Sequence, residues 1–222
     1  MNVGILSWII FGAINFVIIF WIYKDKKLIQ LMYDAKDILA GKWPLAIGTF
    51  LIFFLITMAV SLIPYAGQII SLLIAGPLSV GVAFFTLNIV KGQKAKTDDL
   101  FFSFKNNYGN SILAYLLIIV FGFIALLLGI ISFFIPFIIF ALAISQTWFI
   151  LAENPSMGSY DAIIKSKNIM KGHKWRLLKL GYILLVLGVL CIFTLGIGFL
   201  WLLPYQYVVN AKFYEEVKAL KA

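Results

Sequence analysis

The fold is decided by residues 43–90, which read WPLAIGTFLIFFLITMAVSLIPYAGQIISLLIAGPLSVGVAFFTLNIV. These 48 residues carry no charge, whereas one helix that crosses a bilayer needs only about 20 apolar residues. The run Pro-Tyr-Ala-Gly at residues 64–67 lies near the middle, and proline together with glycine is typical of a turn. We therefore expect a hairpin of two membrane-spanning helices.

Three further stretches also lack charge: residues 1–23, 106–152 and 180–211. The second of these divides at residues 129–136. The third divides at residues 196–198, and it is long enough for a hairpin if its first helix begins near Trp175, because flanking Lys and Arg side chains can extend to the interface. The sequence thus predicts an all-α, polytopic transmembrane helical bundle of about seven spans, in which one N-terminal span precedes three hairpins.

Composition and charge agree with a membrane location. Hydrophobic residues make up 63% of the chain and charged residues 12%, against about 25% charged residues in soluble domains. All 18 Lys and Arg and all nine acids lie between or after the uncharged stretches, so seven spans place every charged segment on one side. The positive-inside rule makes that side cytoplasmic, with the N-terminus outside and the C-terminus inside. The net charge of +9 follows from this topology, and we expect no nucleic-acid partner.

The chain also shows a weak internal repeat. After the extra span at residues 1–23, a single six-span domain at residues 24–222 contains three similar units, at about residues 28–92, 97–153 and 156–217. Each unit has a short amphipathic segment, then an interfacial aromatic residue (Trp43, Tyr108 or Trp175), then a hairpin. Because each unit crosses twice, successive units have the same orientation, which predicts a pseudo-threefold axis along the membrane normal.

The amphipathic segments are predicted to be short cytoplasmic helices. In the first segment, Leu28, Leu31 and Leu39 recur at helical spacing among charged residues. Such helices either lie with their apolar face among the lipid headgroups, or they dock a cytoplasmic partner or act in gating, and the sequence leaves these alternatives open.

Two groups of residues are candidate sites. Asn88, Gln146, Gln206 and Asn210 are predicted near the cytoplasmic ends of spans, where they form either a polar vestibule open to the cytoplasm or ordinary interhelical hydrogen bonds. The second group is a basic run that either holds an anionic lipid headgroup or only fixes the topology. This run consists of Lys171, Lys174, Trp175, Arg176 and Lys179.

Catalytic chemistry has little support in the sequence. The lone His173 and the lone Cys191 are predicted at opposite faces of the membrane, so they cannot form a nucleophile–base pair. The chain shows none of the usual metalloprotease, nucleophile-elbow or nucleotide-binding motifs. We expect no enzyme activity, no metal and no cofactor.

Four strings occur in order: GPLSVGVAFFTLNIVKG (76–92), FFSFKNNYGNSIL (101–113), ILAENPSMGSYDAIIKSKNIMKGHKWRLLKL (150–180) and TLGIGFLWLLPYQYVVNAKFYEEV (194–217). Together they resemble an uncharacterised bacterial integral membrane protein family, which is catalogued as domain of unknown function 975. The resemblance spans about residues 28–217. It implies a protein of the bacterial cytoplasmic (inner) membrane with about six helices, and it implies no activity and no functional residues. Residues 1–23 are an addition to the usual pattern of that family.

The sequence therefore predicts a multi-pass membrane protein of unknown biochemical activity. It favours a non-enzymatic accessory or membrane-organising role, with the lipid bilayer, including anionic lipid, as the expected partner. A protein partner or a second copy of the chain is compatible with the sequence but not identified by it. The alternative is a small permease or channel for a neutral or anionic solute or a lipid.

Overall fold

The computed structural model describes residues 24–131 and 135–220, and every regular element in these two ranges is a helix. The predicted first span, at residues 1–23, lies outside the described residues. The helices are α1 (Lys26–Leu39), α2 (Trp43–Ser61), α3 (Ala66–Val90), a 3₁₀ helix (Thr97–Phe101), α4 (Phe102–Asn106), α5 (Tyr108–Ile131), α6 (Ile135–Ile144), α7 (Thr147–Glu153), α8 (Ser159–Ile169), α9 (Lys174–Phe193) and α10 (Phe199–Ala219).

Five helical stretches among the described residues are long and apolar enough to cross a membrane. They are α2, α3, most of α5, α6 continued by α7, and α9. The prediction of a helical membrane bundle is thereby confirmed. The helix α10 is long enough but is not one of the five, because its second half carries Lys212, Glu215, Glu216 and Lys218.

The helix α3 lies at the centre of the bundle. Half of its apolar stretch is buried, against 17% for α2, α5 and α9, and it contacts α2, α5, α7 and α10. Its two closest approaches occur at glycines. A Cβ on Gly76 would overlap the backbone carbonyl of Ser111, and a Cβ on Gly81 would overlap the backbone carbonyl of Leu100. Only glycine permits these distances between backbones.

The amphipathic helices α1 and α8 bury their apolar faces inside the protein. Leu28, Leu31 and Leu39 of α1 are buried against α10 and α3, and the Tyr205 hydroxyl of α10 donates to the Met32 carbonyl at 2.9 Å. The helix α8 packs in the same way against α5, α6 and α7. The expectation that these apolar faces lie among headgroups or dock a partner is therefore wrong for α1 and α8, because the bundle itself covers them.

The charged segments gather at one end of the bundle. Ion pairs join all four of them: Asp25 with Lys179, Asp34 with Lys212, Glu216 with Arg176, and Glu153 with Lys91. The described residues thus fit the prediction that every charged segment lies on one side of the membrane.

Candidate functional site

The charged ends of α3, α7 and α10 meet in one ionic cluster, which we call the Glu153 clamp (Lys91, Glu153, Tyr214 and Lys218). Lys91 follows α3, Glu153 ends α7, and the other two residues lie near the end of α10. The Glu153 carboxylate pairs with the Lys91 ammonium and accepts hydrogen bonds from Lys218 Nζ at 2.7 Å and from the Tyr214 hydroxyl at 2.6 Å. One carboxylate therefore joins three helices that are distant in sequence.

The electrostatics of the clamp favour the charged forms. The Glu153 side chain is only 12% exposed, and a carboxylate with so little water needs cationic and hydrogen-bonding partners to stay ionised. Burial lowers the pKa of Lys91, but the hydrogen bond to Glu153 and the attraction of Glu153 and Glu215 outweigh burial and raise that pKa above its ordinary value. Lys91 and Lys218 also lie at helix C-termini, where positive charge is favourable. The clamp can hold the helix ends together.

Two of the four residues of the predicted vestibule make hydrogen bonds inside the protein. The Asn88 amide donates to Asp99 Oδ2 at 3.0 Å, and the buried Gln146 amide donates to the Ser145 hydroxyl at 2.9 Å. Gln206 and Asn210 instead line a cavity that has neither Asn88 nor Gln146 in its wall. Asn88 and Gln146 thus make the interhelical or local hydrogen bonds of the alternative interpretation.

The span formed by α6 and α7 is interrupted at residues 145–146, and Ser166 of α8 fills the break. The buried Ser166 hydroxyl donates to the Ala143 carbonyl at 2.8 Å and accepts from the Gln146 N–H at 3.2 Å. These backbone groups lie beside the turn, so the hydroxyl satisfies a donor and an acceptor that would otherwise be costly in an apolar interior. No sequence pattern indicated this role of Ser166.

We expect Ser166→Ala to destabilise the protein by about 1 to 3 kcal/mol, because it leaves a buried donor and a buried acceptor without a partner. Thermal unfolding in detergent measures this loss of stability. The matched control is Ser61→Ala on α2, since the Ser61 hydroxyl is exposed and bonds only to its own helix, at the Met58 carbonyl. Equal melting temperatures for the two variants would contradict this role of Ser166.

The basic run lies where α8 leads into α9, and the structure separates its members. Arg176 Nη2 pairs with Glu216 Oε2 at 2.7 Å, and Lys179 Nζ pairs with Asp25 Oδ2 at 3.0 Å. Lys171 and Lys174 form no ion pair within the described residues. The positive charge that remains available to a lipid headgroup is therefore smaller than the sequence indicates.

The Asp25–Lys179 pair predicts a pH dependence of stability. Burial raises the pKa of Asp25, but the hydrogen bonds from Lys179 and from the Leu28 N–H outweigh burial and hold it below its ordinary value of 3.8. A carboxyl whose folded-state pKa is lowered stabilises the fold above its unfolded-state pKa, and this contribution is lost as the pH falls through the folded-state value. We expect Asp25→Asn to lower the melting temperature at neutral pH, and this difference to shrink below about pH 4.

Thermal unfolding of wild type and variant at both pH values measures this difference. The control is Asp37→Asn, which removes an exposed carboxylate from the same helix α1 and is expected to change little at either pH. A difference between wild type and Asp25→Asn that stays constant on acidification would contradict the prediction.

A lateral groove of about 900 Å³ lies between α9 and α10. Its wall is mostly apolar, with Leu185 and Val189 from α9 and Leu203 from α10. Trp175 and Lys179 also line it, together with Gln206 and Asn210. The groove therefore combines a long apolar wall with a few polar groups.

The structure places His173 and Cys191 at opposite ends of α9. His173 caps the N-terminus of α9, and Cys191 lies in its last turn. At 1.5 Å per residue, about 27 Å separates them along the helix axis.

Within the described residues, five apolar helical stretches with their charged ends gathered on one side define a polytopic helical membrane protein. The family described as "Protein of unknown function (DUF975)" matches the chain at residues 24–147 and 134–221. The chain belongs to this family, which confirms the resemblance seen in the sequence. Residues 1–23 precede the matched region. No curated protein and no solved structure matches the chain.

Proposed function

We propose that this protein is a non-enzymatic accessory or membrane-organising protein of the bacterial cytoplasmic membrane, and that it does not conduct solutes. The observation that carries the proposal is the closed packing around α3. Phe85, Phe213 and Tyr214 are fully buried there, and Phe149 stacks on Tyr214 with ring centroids 5.4 Å apart. The Glu153 clamp lies at the end of this packed region. A permease needs a polar path at this point, whereas an organising protein needs only a rigid bundle.

The proposal includes seven spans. The helix α10 has 21 residues, about 32 Å, which is enough to cross the hydrocarbon core. Val208 and Val209 at its middle and Val217 near its end are buried in the protein, and Lys212 and Lys218 are ion-paired. These two ammonium groups are thus paired with carboxylates of the protein and need not contact lipid tails. The uncharged residues 1–23 supply the remaining span.

The contacts between helices support the pseudo-threefold arrangement. The first helix of each hairpin packs on the second helix of the preceding unit: α5 on α3, α9 on α6, and α2 on α10. The amphipathic segments follow the same cyclic order, with the 3₁₀ helix on α3, α8 on α6 and α7, and α1 on α10.

Backbone conformation supports the repeat as well. Gly41 and Gly172 both have positive φ just before α2 and α9. Tyr65 and Leu195 have positive φ in the following hairpin turns, 24 and 23 residues later. The first and third units therefore share two unusual backbone positions.

Charge supports the proposed orientation. Lys and Arg outnumber the acids in each of the four charged segments, and these segments gather at one end. The positive-inside rule makes this end cytoplasmic, so that the N-terminus lies outside.

Liposome swelling tests whether the protein is a non-conducting accessory protein or a permease. Proteoliposomes in glycerol, urea or small-anion gradients are expected to swell no faster than empty liposomes. Faster swelling for one solute, reduced by Gln206→Leu in the lateral groove, would instead favour the permease. The conservative variant Gln206→Asn keeps an amide in the groove and serves as the control.

We also propose that Lys171, Lys174 and Trp175 bind an anionic lipid headgroup. Trp175 is 60% exposed at the start of α9, as suits an interfacial aromatic, and each cation near an anionic surface adds roughly 1 kcal/mol of attraction. In native mass spectrometry we expect Lys171→Gln/Lys174→Gln to retain several-fold less anionic phospholipid than wild type.

The matched control for lipid retention is Lys27→Gln/Lys36→Gln on α1. Both of these lysines are exposed, and the double variant removes the same net charge. Equal lipid retention in both double variants would overturn the headgroup site.

A further inference from the structure

The short helical segment between α3 and α5 is fixed to the bundle by its inner face. Leu100 of the 3₁₀ helix is fully buried, and its backbone carbonyl lies against Gly81 of α3. The amide of Asn107, which follows α4, donates to the Leu151 carbonyl of α7 at 3.0 Å. These contacts hold the segment against α3 and α7, so its outer face has a fixed position at the charged end of the bundle.

Three aromatic rings form a continuous surface on that outer face. The Phe104 ring contacts the Phe101 ring, with centroids 6.1 Å apart, and the Tyr108 ring, with centroids 5.8 Å apart. Phe101 and Tyr108 are each 40% exposed, and Phe104 is half-buried. We call these three residues the aromatic ladder. Apolar surface of this size is more stable beside an apolar neighbour than in water.

The aromatic ladder runs into the lipid-facing side of a membrane-spanning helix. Tyr108 is the first residue of α5, whose apolar stretch is only 17% buried inside the protein. Ile119 follows Tyr108 on the same face, about three helical turns later, and is 43% exposed. Because the exposed side of α5 contacts lipid tails, the ladder at its start lies where the tails give way to headgroups.

The charges near the aromatic ladder suit phospholipid headgroups. Lys105 is exposed, and it lies beside the ladder because it comes four residues after Phe101 and three before Tyr108. A lysine can extend its ammonium to the phosphates while its stem covers apolar surface. Of the two acids that precede the ladder, Asp99 accepts from an amide inside the protein, and the exposed Asp98 lies ten residues before the start of α5.

We propose that the aromatic ladder is an interfacial anchor that binds phospholipid. The rings lie at the boundary between headgroups and acyl chains in the leaflet at the charged end, as is typical of interfacial aromatic residues, and Lys105 reaches the phosphates. The anchor fixes the depth of the second hairpin in the bilayer. It goes beyond the proposed function, because it holds whether or not the protein conducts solutes.

Spin labelling of the full chain in phospholipid vesicles tests the anchor. In a Cys191→Ser background, single cysteines replace Phe101 or Tyr108 and carry a nitroxide label. Collisions of the label with oxygen, which concentrates in lipid, are compared with collisions with a water-soluble nickel chelate. Leu113→Cys, which is 49% exposed on α5, is the lipid-facing reference, and Asn106→Cys, exposed on α4, is the matched control in water.

We expect the ratio of oxygen to nickel collisions at Phe101→Cys and Tyr108→Cys to be several-fold higher than at Asn106→Cys. The same label is used at every position, so its own affinity for lipid does not produce the difference. Gln93→Cys, in the exposed connection after α3, is expected to give a ratio as low as that of Asn106→Cys. Melting temperatures close to that of the Cys191→Ser background show that each labelled variant is folded.

Three results would overturn the anchor. Ratios at Phe101→Cys and Tyr108→Cys that match Asn106→Cys would place the rings in water, whereas a high ratio at Tyr108→Cys alone would place only the start of α5 in the leaflet. Shielding of both labels from oxygen and from nickel would assign the aromatic surface to a second copy of the chain. A low ratio at Leu113→Cys as well would contradict the spanning of α5, and with it the anchor.

Discussion

Glu153→Gln is expected to destabilise the detergent-solubilised protein by about 2 to 3 kcal/mol, more than removal of any other single carboxylate discussed above. Loss of one partner of a fully buried ion pair costs about 3 to 5 kcal/mol, and the partial exposure of Lys91 and Lys218 reduces that value. The substitution removes both ion pairs of Glu153 where α3, α7 and α10 meet. Lys218 then loses its carboxylate partner, and Lys91 keeps only Glu215, at 3.4 Å. Thermal unfolding measures the loss.

Two further variants distinguish loss of the clamp from a general effect of removing a negative charge on stability. Asp37→Asn removes an exposed carboxylate from the same face of the protein and is expected to change the melting temperature little. Tyr214→Phe removes one hydrogen bond to Glu153 and is expected to cost about 1 to 3 kcal/mol, because the bond is to a charged group. If Glu153→Gln melts like Asp37→Asn, the clamp does not stabilise the bundle.

Gly81→Val is expected to cost about 3 kcal/mol or more and to lower the yield of folded protein. A Cβ at this position would overlap the Leu100 carbonyl, which is backbone and cannot rotate away. Separation of α3 from the 3₁₀ helix would also disturb the stacking of Phe84 on Phe102, whose ring centroids are 3.8 Å apart. Gly81→Ala already adds the Cβ and is expected to give a folded protein with a measurably lower melting temperature.

The control for Gly81 is Gly48→Ala on α2. A Cβ on Gly48 would meet nothing within 4 Å, and alanine is the better helix former by about 1 kcal/mol. We therefore expect Gly48→Ala to be neutral or slightly stabilising in the same unfolding assay. Similar losses of stability in Gly48→Ala and Gly81→Ala would show that the close approach at Gly81 does not contribute to stability.

The helices and their charged end were predictable from the sequence for a simple reason. Lipid excludes charge, so the 48 uncharged residues at 43–90 had to form a hairpin, and Lys and Arg had to lie between the spans. The turn at residues 64–67 followed from proline and glycine. These are local constraints, and each can be inferred from a short stretch of chain.

The packing of the amphipathic helices was not predictable in this way. Periodicity shows that Leu28, Leu31 and Leu39 share one face of α1, but it does not show what covers that face. The structure covers it with α10, which lies more than 150 residues later in the chain. Burial inside the protein and burial among headgroups leave the same pattern in the sequence.

The candidate site was the least predictable part. Glu153 lies 62 residues from Lys91 and 65 residues from Lys218, so no spacing rule connects them. Gln146 looked like a vestibule residue because it is polar within an apolar stretch, yet it lies at the break that Ser166 fills. The one available signal was that Glu153 is an isolated acid at the end of a long uncharged stretch.

Cysteine accessibility in intact bacteria tests the central claim, that three hairpins of the same orientation place all charged segments in the cytoplasm. Single cysteines replace Tyr65 and Leu195, at the hairpin turns, and Gln93 and Ser156, at the charged end, in a Cys191→Ser background. All four positions are exposed. We predict that an impermeant maleimide labels the first two in intact cells and the other two only after permeabilisation. Labelling of Tyr65→Cys and Gln93→Cys from the same side would contradict the account, because α3 would then not cross the membrane.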